Sequence, residues 1–267
     1  MTGDEATDRL IERFTGALRA ALPVSAVWAH GSLAGGDYQP GRSDLDLIAV
    51  LDRPCTAEQG RRLDGLHERL AEDVPLASKL HCGYLAAGES ADPARPHLAW
   101  AHQEFTHRPV TPVTRRELHA FGLTLHGRPP ADLLPPVTGE QLADFVAEDL
   151  ADYWRPHLDR PELWLRDVWV DLGLLTLARA HETLRTGRLI TKAEALGVLA
   201  GLGAPPEVVA DIGRRRYGGP GPVPDRWPAR RAELTRAFLG PAIDRVLAEH
   251  RPGPAGRVAR RASAPRP

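Results

Sequence analysis

The chain has 267 residues, a formal net charge of −1, and 42% hydrophobic and 26% charged residues. That length holds two domains of ordinary size, and the composition is that of a soluble globular protein, which excludes fibrous and wholly disordered classes. No apolar run reaches membrane-spanning length, the N-terminus carries no signal-peptide pattern, and the near-neutral charge offers nucleic acid no global attraction.

In chain order, residues 4–21 read as a helix, with Leu10, Phe14 and Leu18 on one face and Ile11 beside them. Val24 to His30 reads as a short buried strand ending at Gly31-Ser32. The glycine-containing stretch from Leu33 to Arg42 reads as a loop. Leu45 to Leu51 is the next strand, with Leu45, Leu47 and Ala49 on one face and Asp44, Asp46 and Ile48 on the other. A second helix opens at Thr56 or Ala57 and carries Leu63, Leu66 and Leu70; Lys79 to Leu85 is a third strand. Residues 88–112, rich in proline and histidine, read as irregular. A short helix over 113–121 leads to an edge strand at 123–127. Beyond the Pro129-Pro130 and Pro135-Pro136 pairs the pattern is helical throughout, with helices expected near 138–153, 161–186, 191–202, 206–216 and 228–249. Gly187 stands where a C-cap belongs, and Thr191 with Glu194 fits a capping box.

The expected architecture is therefore a small α/β (α+β) mixed-sheet domain over residues 1–132 and an all-α helical bundle over 133–250. Residues 251–267 carry Arg251, Arg257, Arg260, Arg261 and Arg266 and no acid among prolines and glycines, and are expected to be a disordered basic tail. Cys55 and Cys82 sit in plain contexts that suggest neither a disulfide framework nor a zinc site, so a reducing cytoplasm is expected. Basic residues are almost all arginine; Lys79 and Lys192 are the exceptions, which makes each a candidate for a specific task.

The chemistry concentrates at Ser43-Asp44-Leu45-Asp46, shortly after Gly31-Ser32. Carboxylates one residue apart on a strand share a face and can hold a divalent cation jointly. A Gly-Ser turn brings backbone N–H groups and a hydroxyl to a phosphate. Asp44 and Asp46 would bind Mg²⁺, Ser32 with the N–H groups beside Gly31 would hold the β- and γ-phosphates, and Ser43 would either add a hydroxyl or fix the entry to the strand. This set suits nucleotidyl transfer, in which a hydroxyl attacks the α-phosphorus of a triphosphate and two metal ions assist. An Asp-x-Asp triplet alone is commonly a solvated strand edge and a lone Gly-Ser merely a turn; their conjunction between two apolar strands is what is specific.

Ala29-His30-Gly31-Ser32-Leu33-Ala34-Gly35-Gly36, followed by Arg42-Ser43-Asp44-Leu45-Asp46-Leu47, resembles the signature of the polymerase-β-like nucleotidyltransferase superfamily. Within it the chain looks most like bacterial aminoglycoside (3″) adenylyltransferases. The likeness extends to Leu177-Ala178-Arg179, to Thr186 through Lys192, and to Arg214 through Gly218. It implies ATP as substrate, Mg²⁺ as cofactor, and a small cationic acceptor such as an aminoglycoside lying between the domains, in a setting of antibiotic resistance or amino-sugar biosynthesis. It also implies that Arg179, Lys192 and Tyr217 clamp the triphosphate. A cationic clamp offsets charge on departing pyrophosphate, and the helix N-terminus beside Lys192 adds a favourable dipole. The bland alternatives are a surface ion pair, a solvated first turn and a packing residue.

The family places a third acid on the strand after Asp-x-Asp, and here the matching position is His81. Three readings stand. His81 is the general base; an acid from elsewhere, such as Glu89 or Asp171, replaces it; or catalysis has decayed while nucleotide binding survives as a regulatory module. On the acceptor side, Asp144, Glu148 and Asp152 share a helix face that reads as solvated. Asp167 and Asp171, among Trp164 and Trp169, are the candidate acceptor contacts, with Trp154 and Trp164 able to stack on a sugar ring or to fill core. The remaining histidines, His102 among them, read as surface or loop residues. A nucleic-acid polymerase of the same superfamily is disfavoured by the acidic balance outside the tail.

Overall fold

The computed structural model describes residues 3–250 except Pro220 and Val223. It divides into two compact units whose boundary in sequence lies between Val137 and Thr138. The basic tail lies outside the described residues. The architecture is the expected one: a mixed-sheet α/β domain followed by an all-α bundle.

In the first unit, α1 (Glu5–Ala21) starts at Asp4, whose side chain accepts from the Thr7 amide. It leads to β1 (Val24–Ala29) and the single-turn α2 (Gly31–Ala34). Then come β2 (Leu45–Leu51) and α3 (Ala57–Asp73), which opens on a Thr56/Gln59 capping box. The chain continues through β3 (Leu80–Ala86), β4 (Pro96–Ala101), β5 (Glu104–Pro109), α4 (Pro112–Phe121), β6 (Leu123–Gly127) and the short α5 (Pro130–Leu133). The six strands are ordered β5-β4-β3-β2-β1-β6. Only β2 and β3 pair in parallel, as the intervening α3 crossover requires.

Strand alternation sorts the core onto both faces of this sheet. Leu45, Leu47, Ala49 and Leu51 of β2 pack with Leu10, Phe14 and Leu18 of α1 and Leu63, Leu66 and Leu70 of α3. The opposite-facing Ile48 and Val50 pack with Trp28, Leu85, Val110, Leu118 and Leu134. The facing pattern read from the sequence is the one observed. Residues 88–112 correct it: rather than irregular, they contain the β4–β5 hairpin. Pro96 and Pro109 bracket the pair, and its two-residue turn is His102-Gln103, with φ of +54° and +64°. Such turns usually announce themselves by Asn-Gly, and that signal is missing here.

The second unit runs through α6 (Gly139–Glu148), a π-helical turn (Asp149–Trp154), α7 (Arg155–His157), a 3₁₀ turn (Pro161–Leu165), α8 (Asp167–Thr186), α9 (Lys192–Gly201), α10 (Pro206–Tyr217) and α11 (Trp227–Glu249). The expected single helix over 161–186 breaks at Arg166, whose ψ of 133° is extended. Gly187 caps α8 in the left-handed region, and Thr191 with Glu194 forms the expected capping box of α9. Buried Asp211 of α10 is the hub of an ion network: it accepts from Arg214 and Arg215, from Arg231 Nη1 at 3.4 Å and from Trp227 Nε1 at 2.9 Å. Arg215 also binds Asp171, and Arg231 binds Asp167 at 2.5 Å, so α8, α10 and α11 are tied together through charge. No helix among the described residues is long and apolar enough to cross a membrane.

Candidate functional site

The sheet topology itself gathers the site in the first unit. Because β2 and β3 are parallel, their N-terminal ends lie side by side; because β1 and β4 run antiparallel to them, the C-terminal ends of β1 and β4 arrive at the same edge. That edge receives His30-Gly31-Ser32 after β1, Asp44 before β2 and Asp46 within it, Lys79 before β3 and His81 within it, and His102 from the β4–β5 turn.

Gly31 and Asp46 are matched to each other. Gly31 has φ of +62°, and a Cβ built on it would stand 2.6 Å from Asp46 Oδ2. Glycine is required here twice over, for the left-handed backbone and for the close approach of the carboxylate. The His30 amide donates to the Asp46 carbonyl at 3.0 Å, which continues the β1–β2 ladder up to the turn. Ser32 lies in the first turn of α2, and its carbonyl accepts from the Asp37 amide at 3.0 Å, closing the following loop. Ser43 is buried; its hydroxyl accepts from the Gln39 amide at 3.0 Å and its own amide donates to the Gln39 carbonyl, contacts that hold the loop entering β2.

Asp44 and Asp46 are partly exposed, with side-chain accessibilities of 44% and 33%. Lys79 Nζ lies 3.6 Å from Asp44 Oδ1, and His81 Nδ1 lies 3.6 Å from Asp46 Oδ1 across the β2–β3 register. The His102 ring meets His81 edge-on, with centroids 4.7 Å apart. Burial depresses the His102 pKa, and the neighbouring His81 and Arg108 depress it further. Sequence reasoning missed His102, which sits in a turn without a glycine signal. Lys79 carried a usable signal as one of the chain's rare lysines.

Glu117 of α4 is the other residue the sequence did not flag. Its Oε2 accepts from His30 Nδ1 at 3.0 Å and from the Gly31 amide at 3.2 Å. Burial alone would depress His30; the hydrogen bond it donates to Glu117 and the charges of Asp46 and Glu117 outweigh it and raise the pKa. Nothing in the spacing of Arg116-Glu117-Leu118 distinguishes that acid from a solvated one. Glu89 is paired with Arg95.

Among the described residues no group of three or more His, Cys, Asp and Glu side chains converges as a metal site. The donor set of Asp44 and Asp46 nevertheless fits Mg²⁺, which takes one or two carboxylates together with water and substrate phosphates and does not need a protein cage. Imidazole is a poor Mg²⁺ ligand, so His81 and His102 stand outside that set.

In the second unit Arg179 donates from Nε to the Ile190 carbonyl at 3.0 Å, which brings it against the turn that starts α9 at Lys192. Tyr217, at the end of α10, is exposed and lies under Arg216, whose Cζ is 5.4 Å from the ring centroid. Of the acids expected on the acceptor side, Asp171 is gripped by Arg215 and Asp167 pairs with Arg231 while keeping more than half its surface exposed. Burial raises the Asp171 pKa against the opposing pull of Arg215. Trp164 has no exposed surface and donates Nε1 to the His157 carbonyl at 2.9 Å; Trp154, also buried, donates to Asp149. Both belong to a ring cluster with Tyr153, His157 and Trp169 and so fill core.

Residues 11–84 match the family model described as a nucleotidyltransferase domain. The matched stretch includes the Gly31-Ser32 turn, Asp44, Asp46, Lys79 and His81, and ends before His102 and Glu117. The fold is similar to the crystal structure of the spectinomycin adenyltransferase AAD(9) from Enterococcus faecialis with ATP and spectinomycin. The TM-score is 0.67 at 16% sequence identity, over 88% of this chain and 98% of that one. A comparison with curated proteins finds no match.

Proposed function

We propose that the protein transfers a nucleotidyl group, AMP, from Mg·ATP to a hydroxyl of a small cationic acceptor of the aminoglycoside class. The observation that carries this reading is the mutual fit of Gly31 and Asp46, with Asp44 immediately before β2: a turn able to receive phosphate, held against a carboxylate able to bind the accompanying metal. The nucleotidyltransferase-domain match and the fold shared with an adenyltransferase bound to ATP and spectinomycin support it.

In the reaction the acceptor oxygen bonds to the α-phosphorus, the bond from that phosphorus to the bridging oxygen breaks, and pyrophosphate departs. Mg²⁺, when bound, supplies Lewis acidity at the phosphates. Asp44 and Asp46 are the carboxylates that hold it. Ser32 donates to the phosphates, together with backbone N–H groups beyond Gly31, whose own N–H is directed to Glu117. Lys79, Arg179, Lys192 and Tyr217 supply cationic and hydroxyl contacts to the triphosphate. His81 accepts the proton of the acceptor hydroxyl, a task imidazole performs near neutral pH. Asp167 and Asp171 contribute negative charge for the amino groups of the acceptor.

The test is incubation with Mg²⁺, ATP labelled at the α-phosphate and a panel of aminoglycosides and aminocyclitols. Transfer of label with stoichiometric pyrophosphate release is expected; binding of ATP with no transfer to any acceptor contradicts the catalytic reading. One observation favours a second reading, a nucleotide-binding module without turnover: the β3 position beside Asp46 holds an imidazole and no carboxylate. His81→Glu separates the two. A fall in transfer marks His81 as the working base, and a large gain marks a decayed site.

A further inference from the structure

We infer that Glu117 is a positioning residue for the nucleotide site: it braces the Gly31 turn against Asp46 by serving as the shared hydrogen-bond acceptor for His30 and Gly31. The inference deepens the nucleotide-binding reading above and rests on it.

Glu117 lies on the buried side of α4, in the unit's second core layer beside Leu118, and its side chain is 8% exposed. A carboxyl group placed there is costly unless its oxygens are used. Oε2 is used by adjacent donors, the Gly31 amide at 3.2 Å and His30 Nδ1 at 3.0 Å. As a carboxylate Glu117 only accepts, so Nδ1 carries the proton and the imidazole tautomer is set by this contact.

The left-handed backbone of Gly31 turns its amide toward α4 and its Cα toward Asp46. One residue is therefore held from two sides, by a hydrogen bond behind and by carboxylate packing in front. A second contact strengthens the brace: a Cβ on Gly35 would stand 3.6 Å from the Phe121 ring, so the last turn of α4 lies against the end of α2. Loss of the Glu117 acceptor frees the Gly31 amide to rotate, and with it the positions of Ser32 and of the Asp46 side chain.

The test compares Glu117→Gln with Glu117→Ala. Glutamine keeps an acceptor oxygen at the same reach and removes the charge; alanine removes the acceptor. Two quantities are measured: the hydrogen-exchange rate of the Gly31 amide by NMR, and the dissociation constant for Mg·ATP. In Glu117→Ala the Gly31 amide should exchange faster and Mg·ATP should bind about tenfold more weakly, the usual scale for losing an outer partner of a ligand-holding group. Glu117→Gln should retain slow exchange and wild-type affinity. Wild-type affinity in Glu117→Ala, or equal weakening in both variants, overturns the inference. If the wild-type protein binds no nucleotide, the proposed function fails on its own; the exchange comparison then decides the brace, and unchanged Gly31 exchange in Glu117→Ala overturns it.

Discussion

At the scale of single residues, the carboxylate edge leaves Gly31 little room. Gly31→Ala would force a side chain into a left-handed backbone position, at a cost of about 1–2 kcal/mol. It would also push a methyl group onto Asp46 Oδ2, 2.6 Å away. The expected outcome is a lower urea midpoint together with loss of Mg·ATP binding, read by denaturation and calorimetric titration. Away from the site, buried His67 offers a residue-level test of the core. It stacks on Trp100 at 4.3 Å, meets the Tyr84 hydroxyl at 2.6 Å, and burial lowers its pKa from 6.5 to about 3. The folded state holds this imidazole neutral while the unfolded chain protonates below pH 6.5. Stability is therefore fully present above that pH and is lost as the pH falls toward 3, at up to about 1.4 kcal/mol per pH unit from this group. His67→Phe preserves the ring stack and removes the titration. Denaturation at a series of pH values should show a shallower decline in the variant between pH 6.5 and 4.

At the scale of elements, the β4–β5 hairpin and the α8–α10–α11 network make opposite predictions. The hairpin turns on two non-glycine residues in the left-handed region, a conformation that costs stability. Replacing His102-Gln103 by Asn-Gly should stabilise the protein by about 1 kcal/mol or more, seen as a higher urea midpoint with an unchanged slope. The same change removes the edge-on contact of the His102 ring with His81. In the second unit the Asp211 carboxylate is held below its usual range: burial opposes this, but the Trp227 N–H and the Arg215 and Arg231 guanidinium groups prevail. Asp211→Ala leaves buried Arg231 without its charge partner on α10 and should cost about 3–5 kcal/mol in equilibrium unfolding.

At the scale of the whole molecule, what was legible in the sequence follows from what local patterns encode. The faces of β2, the cap of α9, and the shift from sheet to bundle were readable, because apolar alternation, Thr-x-x-Glu spacing and the proline pairs are local signals. Gly31 and Asp46, which meet in the fold, were readable together because they are close in sequence. The hairpin was not, since its turn lacks glycine and its strands begin or end in proline. The contacts of Glu117 and His102 were not, because they depend on how distant parts of the chain come together: Glu117 reaches Gly31 across 86 residues of chain. Trp164 was misleading in the other direction, since a tryptophan among acids reads equally as a binding face or as core, and only its burial decides.

In the proposed function, Asp44 and Asp46 jointly hold the metal of a bound nucleotide. Calorimetric titration of ATP into the wild-type chain and into the Asp44→Asn/Asp46→Asn variant, each with Mg²⁺ and with a chelator, tests it most directly. Wild-type binding should require Mg²⁺, and the folded variant should bind at least about tenfold more weakly. Equal affinity in the two proteins, or wild-type binding indifferent to the chelator, would contradict it.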